Sequence, residues 1–215
     1  MPRPRFQNAP EELRNGILTA ATKEFGRRGY EGASLNRIIA TAGLSKGSFY
    51  YYFDDKADLA ATALAQATSS LMATLDLTAI VDQASFWTTM EHFQRKSLEP
   101  LAHDPSQLEL VGKLGRAYVD HPELAAKVLP LVSDYLSLAM SAWRRGQEVG
   151  AVRRDLSVEV LMAVMSGTKE ALLKVQLPRD GLLTLEEIDR LASLLFDFFR
   201  RLVAPPERAL EKEAV

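Results

Sequence analysis

Cysteine is absent from all 215 residues. That excludes disulfides, thiolate metal centres and thiol nucleophiles, and suits a reducing compartment. Histidine is almost as scarce. His92, His103 and His121 lie far apart with no pair at i, i+4 spacing, so no metal site is expected. Glycine-rich phosphate loops and the G-x-S-x-G of serine hydrolases are missing as well. Ser166-Gly167-Thr168-Lys169 has the S-x-x-K spacing of penicillin-recognising enzymes but lacks their SDN and KTG companions, and reads as coincidence. No catalytic constellation, metal or cofactor is therefore expected. "MPRPRFQNAP" has no apolar core of a signal peptide, and no apolar run reads as long enough to span a bilayer, so the chain is expected in the cytoplasm.

What is present is charge that divides unevenly. Residues 1–53 carry eight Lys/Arg against four Glu, a balance of +4, so a chain with a formal charge of −2 holds −6 in the remainder. A basic front on an acidic body is the division expected when one end meets a polyanion.

Hydrophobic periodicity is helical almost throughout, and the expected fold is all-α. Leu13, Ile17, Leu18, Ala21 and Phe25 form a stripe that Gly29 closes. Ser34 is placed to cap a short helix carrying Leu35, Ile38, Ile39 and Ala42; Ser45 caps another through Tyr52, and Asp55 a longer one from Lys56 into the seventies. Further helices are expected over about 83–100, 106–120, 122–148, 157–177 and 184–203, with Pro130 kinking the 122–148 helix. "EPLAHDPS" and "LPRDGLLT" are the loops between them. Thr184 and Glu187 make a capping box for the last helix.

Helix, Ala42-Gly43-Leu44 turn, helix is the outline of a helix-turn-helix. On the second helix, Phe49 and Phe53 face inward. Lys46, Gly47, Tyr50 and Tyr51 gather on another side, with Ser48 in the first turn, the part of a recognition helix that reaches base edges. The tyrosine hydroxyls suit phosphate oxygens, and the helix N-termini at Ser34 and Lys56 suit two flanking phosphates. Asn36 and Arg37 are further candidates, while Arg3 and Arg5 belong to a basic N-terminal segment.

"DDKAD", Asp54 to Asp58, also matches the aspartate-rich element of prenyl-diphosphate enzymes, which hold magnesium. Octahedral Mg²⁺ needs oxygen ligands converging from more than one short cluster, and no second aspartate-rich element follows. Helix capping by Asp55, with Asp54 and Asp58 near the positive helix end, is the preferred account.

"ILTAATKEFGRRGYEGASLNRIIATAGLSKGSFYYYFDDKADL" (Ile17–Leu59) resembles the N-terminal domain of the TetR family of bacterial repressors, through Ala21, Phe25, Gly29-Tyr30, Ser34, Ile38, Ala42-Gly43, Ser45-Lys46-Gly47, Tyr50, Phe53 and Lys56. "RRGQEVGAVRRDL" (Arg144–Leu156) resembles the segment that leads into that family's dimer helices. The resemblance implies a dimer on a palindromic operator, released by a small molecule. It puts DNA contacts at Ser34, Lys46, Gly47, Ser48, Tyr50, Tyr51 and Lys56, while Tyr52 stands where many relatives have His, leaving phosphate contact or core packing open. The chain is expected to divide into a DNA-binding domain at 1–54, an effector-binding and dimerisation domain at 55–204, and, as termini commonly are, a flexible arm at 1–8 and a flexible tail at 205–215.

In the larger part, Ile188, Leu191, Leu195, Phe198 and Leu202 recur at steps of three and four, a narrow seam suited to self-association, and Leu161, Met165 and Leu172 lie on the apolar helix before it. Met72, Trp87, Met90, Phe93, Tyr118, Tyr135, Met140 and Trp143 are enough to line an apolar cavity, though the same pattern serves a packed core. Few charged residues fall on inward stripes, so a largely apolar or aromatic effector is expected. A dimeric DNA-binding protein without any effector is the competing reading.

Overall fold

The computed structural model describes residues 2–176 and 182–206, apart from the side chains of Ser70, Tyr118 and Lys174. Ten α-helices are described: α1 (Pro4–Gln7), α2 (Glu11–Gly32), α3 (Leu35–Thr41), α4 (Lys46–Tyr52), α5 (Lys56–Met72), α6 (Gln83–Leu98), α7 (Ser106–Asp120), α8 (Pro122–Glu148), α9 (Val158–Gln176) and α10 (Leu185–Val203). No strand occurs among the described residues. The expected loop at 177–184 and the tail at 205–215 fall largely outside the described residues.

Local chemistry sets most of these boundaries. Ser34, Ser45 and Thr184 each accept a backbone N–H three residues on, and Glu187 completes the box at α10 by receiving the Thr184 N–H at 2.8 Å. Helical geometry in α2 breaks at Gly29, whose φ of 70° a side chain would strain. Pro130 lies inside a helix that stays continuous to Glu148, so it does not end α8.

By packing, the helices form two compact units: Met1–Ser70 with Asp104–Tyr135, and Leu71–His103 with Leu136–Val215. Helices α7 and the first half of α8 thus pack with the N-terminal helices, a grouping that a boundary at residue 54 does not anticipate.

In the first unit α2 lies against α7. A Cβ on Gly26 would stand 2.7 Å from the Ser106 carbonyl oxygen, so this approach requires glycine. Lys113 donates to the carbonyls of Gly26 and Arg27, binding α7 to the end of α2. His121, between α7 and α8, has Glu31 and Glu123 each 3.4 Å from one ring nitrogen. The core is Ile17, Phe25, Ile38, Phe49, Phe53, Leu59, Leu110 and Leu114, all fully buried.

In the second unit Phe86, Met90, Trp143, Leu161 and Val203 form the core. The backbone of Gly146 presses on the Phe86 ring, where a Cβ would come within 2.5 Å. The Arg144–Leu156 segment is held by its own side chains: Gln147 Nε2 donates to the Arg153 and Leu156 carbonyls at 2.9 and 3.0 Å.

Three expectations are corrected here. Of the proposed seam, Ile188, Leu191 and Leu195 are buried within their own unit, as is Leu161, so they are core rather than contact surface; Leu202, Met165 and Leu172 are half-buried, and Phe198 is exposed. The apolar residues that do face outward are Val160, Val164 and Val175 on α9 and Leu185, Leu194 and Phe198 on α10. Next, residues 2–8 do not form a free arm. Phe6 is buried against Phe53 at 4.7 Å, and the Arg3 N–H donates to the Tyr52 carbonyl at 3.0 Å. Finally, α8 does have the length and composition of a membrane span, with an 18-residue window of mean hydropathy 1.2. Its apolar residues nevertheless segregate: Leu124, Val128 and Val132 are buried at steps of four, while Ser133, Ser137 and Ser141 are exposed.

Candidate nucleic-acid interface

The turn between α3 and α4 is a Schellman closure. Gly43 adopts a φ of 67°, its N–H returning to the Ala40 carbonyl at 3.1 Å and the Leu44 N–H to that of Ile39 at 2.9 Å. That left-handed residue sets the angle at which α4 leaves. Ser45 then starts α4, its hydroxyl oxygen accepting the Ser48 N–H at 3.0 Å.

Seven residues of helix thereby acquire two faces. Phe49 is 1% exposed and stacks on Phe53, with centroids 5.5 Å apart. On the other side Lys46 and Gly47 are exposed, and Tyr50 and Tyr51 are about half exposed. The sequence-predicted face is therefore assembled, with an ammonium, a bare backbone position and two phenols pointing outward. Such a surface can donate to base edges at its first turn and to phosphate oxygens beyond. Ser48 is less available than expected: it is half-buried, and its hydroxyl lies 2.8 Å from that of Ser45.

The flanking candidates are more committed. Ser34 caps α3 through Arg37 N–H, and its own N–H donates to Glu24 Oε1 at 2.9 Å. Glu24, largely buried, also lies 3.1 Å from Arg37 Nε, so Arg37 is held at the surface by an internal carboxylate while Asn36 is freely exposed. Lys56 bends back: its ammonium donates to the Glu31 carbonyl at 3.1 Å and sits 5.0 Å from the centre of the Tyr30 ring. Partial burial there holds its pKa below the ordinary lysine value, with Glu31 and Glu24 opposing the shift. A phosphate at α5 would have to compete with those contacts for Lys56.

Two further features were not legible. Arg5 lies 4.6 Å over the Tyr51 ring and Arg3 pairs with Asp54 at 2.9 Å, so the N-terminal arginines brace the reading helix instead of trailing from it. Only the one-residue spacing of two arginines around Pro4, before an apolar Phe6, hinted at this. Tyr52 is half-buried with its ring 6.0 Å from Phe6, which favours packing for the position left open.

The aspartates of "DDKAD" have structural employment. Asp55 accepts the Asp58 N–H at 2.7 Å as the α5 cap, and Asp58, fully buried, accepts from Asp54 N–H at 3.3 Å. The hydrogen bond from Arg3 holds the Asp54 carboxyl below the usual range.

The expected effector residues do not form one lined cavity. Met90 and Trp143 are buried in the second unit's core, with Trp87, Phe93 and Met140 partly buried against it. Met72 is half-buried at the end of α5, Tyr135 falls in the first unit where burial raises its pKa, and the Tyr118 side chain is outside the described residues. An open cleft of about 540 Å³ is lined instead by Arg28, Gly29, Tyr30, Glu31, Lys113, Arg116, Ala117, Asp120 and His121. Lys169, beside the buried amide of Gln94, is a charge directed into the second unit.

Comparison with known proteins agrees with this geometry. Residues 17–63 match the family model described as bacterial regulatory proteins, tetR family. The chain is 26% identical over 166 residues to the HTH-type transcriptional repressor BepR of Brucella suis biovar 1, covering 73% of this chain and 78% of that protein. It is 23% identical over 187 residues to the repressor DhaR of a Mycobacterium species, covering 86% and 91% respectively. Among solved structures, the transcriptional regulator FadR of Bacillus subtilis in complex with stearoyl-CoA has the same fold, with a TM-score of 0.66 at 18% identity over 86% of this chain and 96% of that one. With its reading helix presented on a glycine-set turn, residues 17–63 carry the tetR-family regulatory domain, and over most of its length the chain is similar to HTH-type transcriptional repressors.

Proposed function

We propose that the protein is a cytoplasmic repressor that binds a palindromic operator as a symmetric dimer and lets go when a small molecule occupies its larger helical part. The observation that carries the reading is the two-faced α4: Phe49 buried at 1% exposure, Tyr50 and Tyr51 outward at 50% and 48%. In functional terms residues 1–54 are the reader, and 55–204 serve effector binding and assembly. The outward valines of α9 and the outward Leu194 and Phe198 of α10 support pairing with a second copy. Single exposed apolar residues are common, but a run at helical spacing on two neighbouring helices is not. Ion pairs Glu186–Arg190 and Asp197–Arg201 on α10 provide the polar rim such an interface has.

Selection from random duplex DNA by the purified protein at near-physiological salt tests this. A palindrome with fixed half-site spacing is expected; enrichment of a single unpaired half-site would remove the symmetric dimer, and none at all would remove base reading. On the selected site, Lys46→Ala is expected to weaken binding and lower the salt slope by about one counterion. An unchanged slope would take Lys46 off the phosphate or base contacts. The solved relative in complex with stearoyl-CoA supports the search for an effector. The close packing of Phe86, Met90 and Trp143 favours the alternative, a dimer without one, which would bind its site unaltered by any added small molecule.

A further inference from the structure

We propose that the second unit contains a recognition site for the carboxylate of a small organic acid, formed by Lys169 on α9 with Gln94 and Ser97 on α6, and continued by the apolar cluster beside them. The proposal rests on the effector reading above and gives that effector a chemical class.

Lys169 Nζ donates to Ser97 Oγ at 2.9 Å. Ser97 is buried and gives its own proton to the Gln94 carbonyl at 2.7 Å, so its lone pair is what receives the ammonium. Among the described residues no carboxylate lies within ion-pair distance of Lys169. The residue keeps some exposure overall, yet desolvation of its ammonium pushes the pKa down to about 8. One turn before Ser97, Gln94 is buried to nine-tenths, and its amide nitrogen has no hydrogen-bond partner among the described residues. A desolvated cation and an unsatisfied buried amide are both costly; the ammonium has a hydroxyl but no counter-charge, and the amide nitrogen has no acceptor. A carboxylate answers both, with one negative charge for one ammonium and a second oxygen for the amide. A phosphate dianion would meet only this single cation.

The body of the ligand follows from helix register. Met90 precedes Gln94 by one turn on α6, and Met165 precedes Lys169 by one turn on α9; both belong to the cluster around Trp143 and Phe93. The polar groups thus end an apolar tract whose methionines can repack around a guest. An acid head on an apolar body fits that order of groups.

Trp87 and Trp143 are the chain's two tryptophans and both touch this cluster, so intrinsic fluorescence of the full chain reports on it. The probes are octanoate, decanoate, dodecanoate and 4-phenylbutyrate, each against the alcohol of the same skeleton. At pH 7 at least one acid is expected to give a saturable change, its alcohol binding about tenfold or more weaker. Lys169→Met and Gln94→Leu are expected to bring the acid down toward the alcohol and leave the alcohol unchanged. Acid affinity is expected to fall as pH rises above about 8, where Lys169 loses its proton.

Stability gives a second readout. A lysine whose folded pKa is depressed from 10.5 to about 8 destabilises the free protein fully below pH 8, and that cost disappears as pH approaches 10.5. Ligand-free Lys169→Met is therefore expected to melt above wild type at pH 7, with the gap closing at alkaline pH. Four results would each overturn the site: no acid binds, acids and alcohols bind alike, Lys169→Met keeps the acid affinity, or Lys169→Met melts below wild type. Operator release separates the two readings. Release of wild type and Lys169→Met alike by a neutral probe keeps the effector and discards the carboxylate site. Acid binding that depends on Lys169 but never alters operator affinity keeps the site and discards the effector.

Discussion

Phe198→Glu is expected to give a folded subunit that sediments as a monomer and binds its operator about a hundredfold or more weakly, while Leu195→Glu is expected to unfold the second unit. The two residues are three apart on α10 and were both members of one seam in the sequence. Phe198 is 46% exposed and Leu195 is 0% exposed. A carboxylate at 198 stays in water in the free subunit, so folding is spared; buried at the proposed contact with a second copy, it would lack a counter-charge. Losing the dimer turns one two-site engagement into two independent ones, and the lost effective concentration is worth about 10²–10⁴ in affinity. At 195 the same carboxylate enters a core with Ile188, Leu191 and Phe199. Removing the leucine and burying a charge together cost about 4 kcal/mol or more, a large share of what a domain has. Sedimentation and thermal melting separate the cases. A Phe198→Glu protein that still sediments as wild type would move the interface to another face, and a folded, dimeric Leu195→Glu would mean that α10 is not packed as described.

The helical elements were legible because their signals are local. A cap needs one hydroxyl and an N–H three residues away, which is why Ser34, Ser45, Asp55 and Thr184 mark helix starts where the structure has them. Orientation was not legible on α10, where the narrow seam read from the sequence holds both buried Leu195 and exposed Phe198: periodicity separates an apolar stripe from a polar one, but not an inward stripe from an outward one. Phe198 differs from Leu195 only through what packs nearby. The docking of residues 2–8 depends on Phe6 meeting Phe53, a contact between positions far apart in the chain. Lys169 shows the same limit. As a lysine on an apolar helix it reads as surface, and its partner Ser97 lies 72 residues away. By contrast the α4 face was readable outright, since Phe49 and Phe53 sit four apart between polar neighbours and can only bury together.

That separation of faces leads to the second large effect, at two adjacent residues. Phe49→Ala is expected to lower the melting temperature of the protein's first unit by about 10 °C or more, and Tyr50→Ala to leave it within about a degree or two. Phe49 is 1% exposed, stacks on Phe53, and belongs to a core shared with Phe25, Ile38 and Phe6. Truncating such a ring costs about 3–5 kcal/mol because the cavity left behind closes only in part. Tyr50 is 50% exposed and meets Phe49 edge-on at 5.1 Å, so alanine there removes little buried surface. DNA binding should invert the pattern. Tyr50→Ala is expected to weaken operator binding at every temperature, because an outward phenol is lost from a helix that is still presented. Phe49→Ala should bind almost normally in the cold and fail as the unit melts, since its own ring makes no contact with DNA and only the folded fraction is reduced. Loss of binding by Phe49→Ala at temperatures where it remains fully folded would mean that the buried ring sets the fine orientation of α4, and the separation of a packing face from a reading face would then fail for this helix.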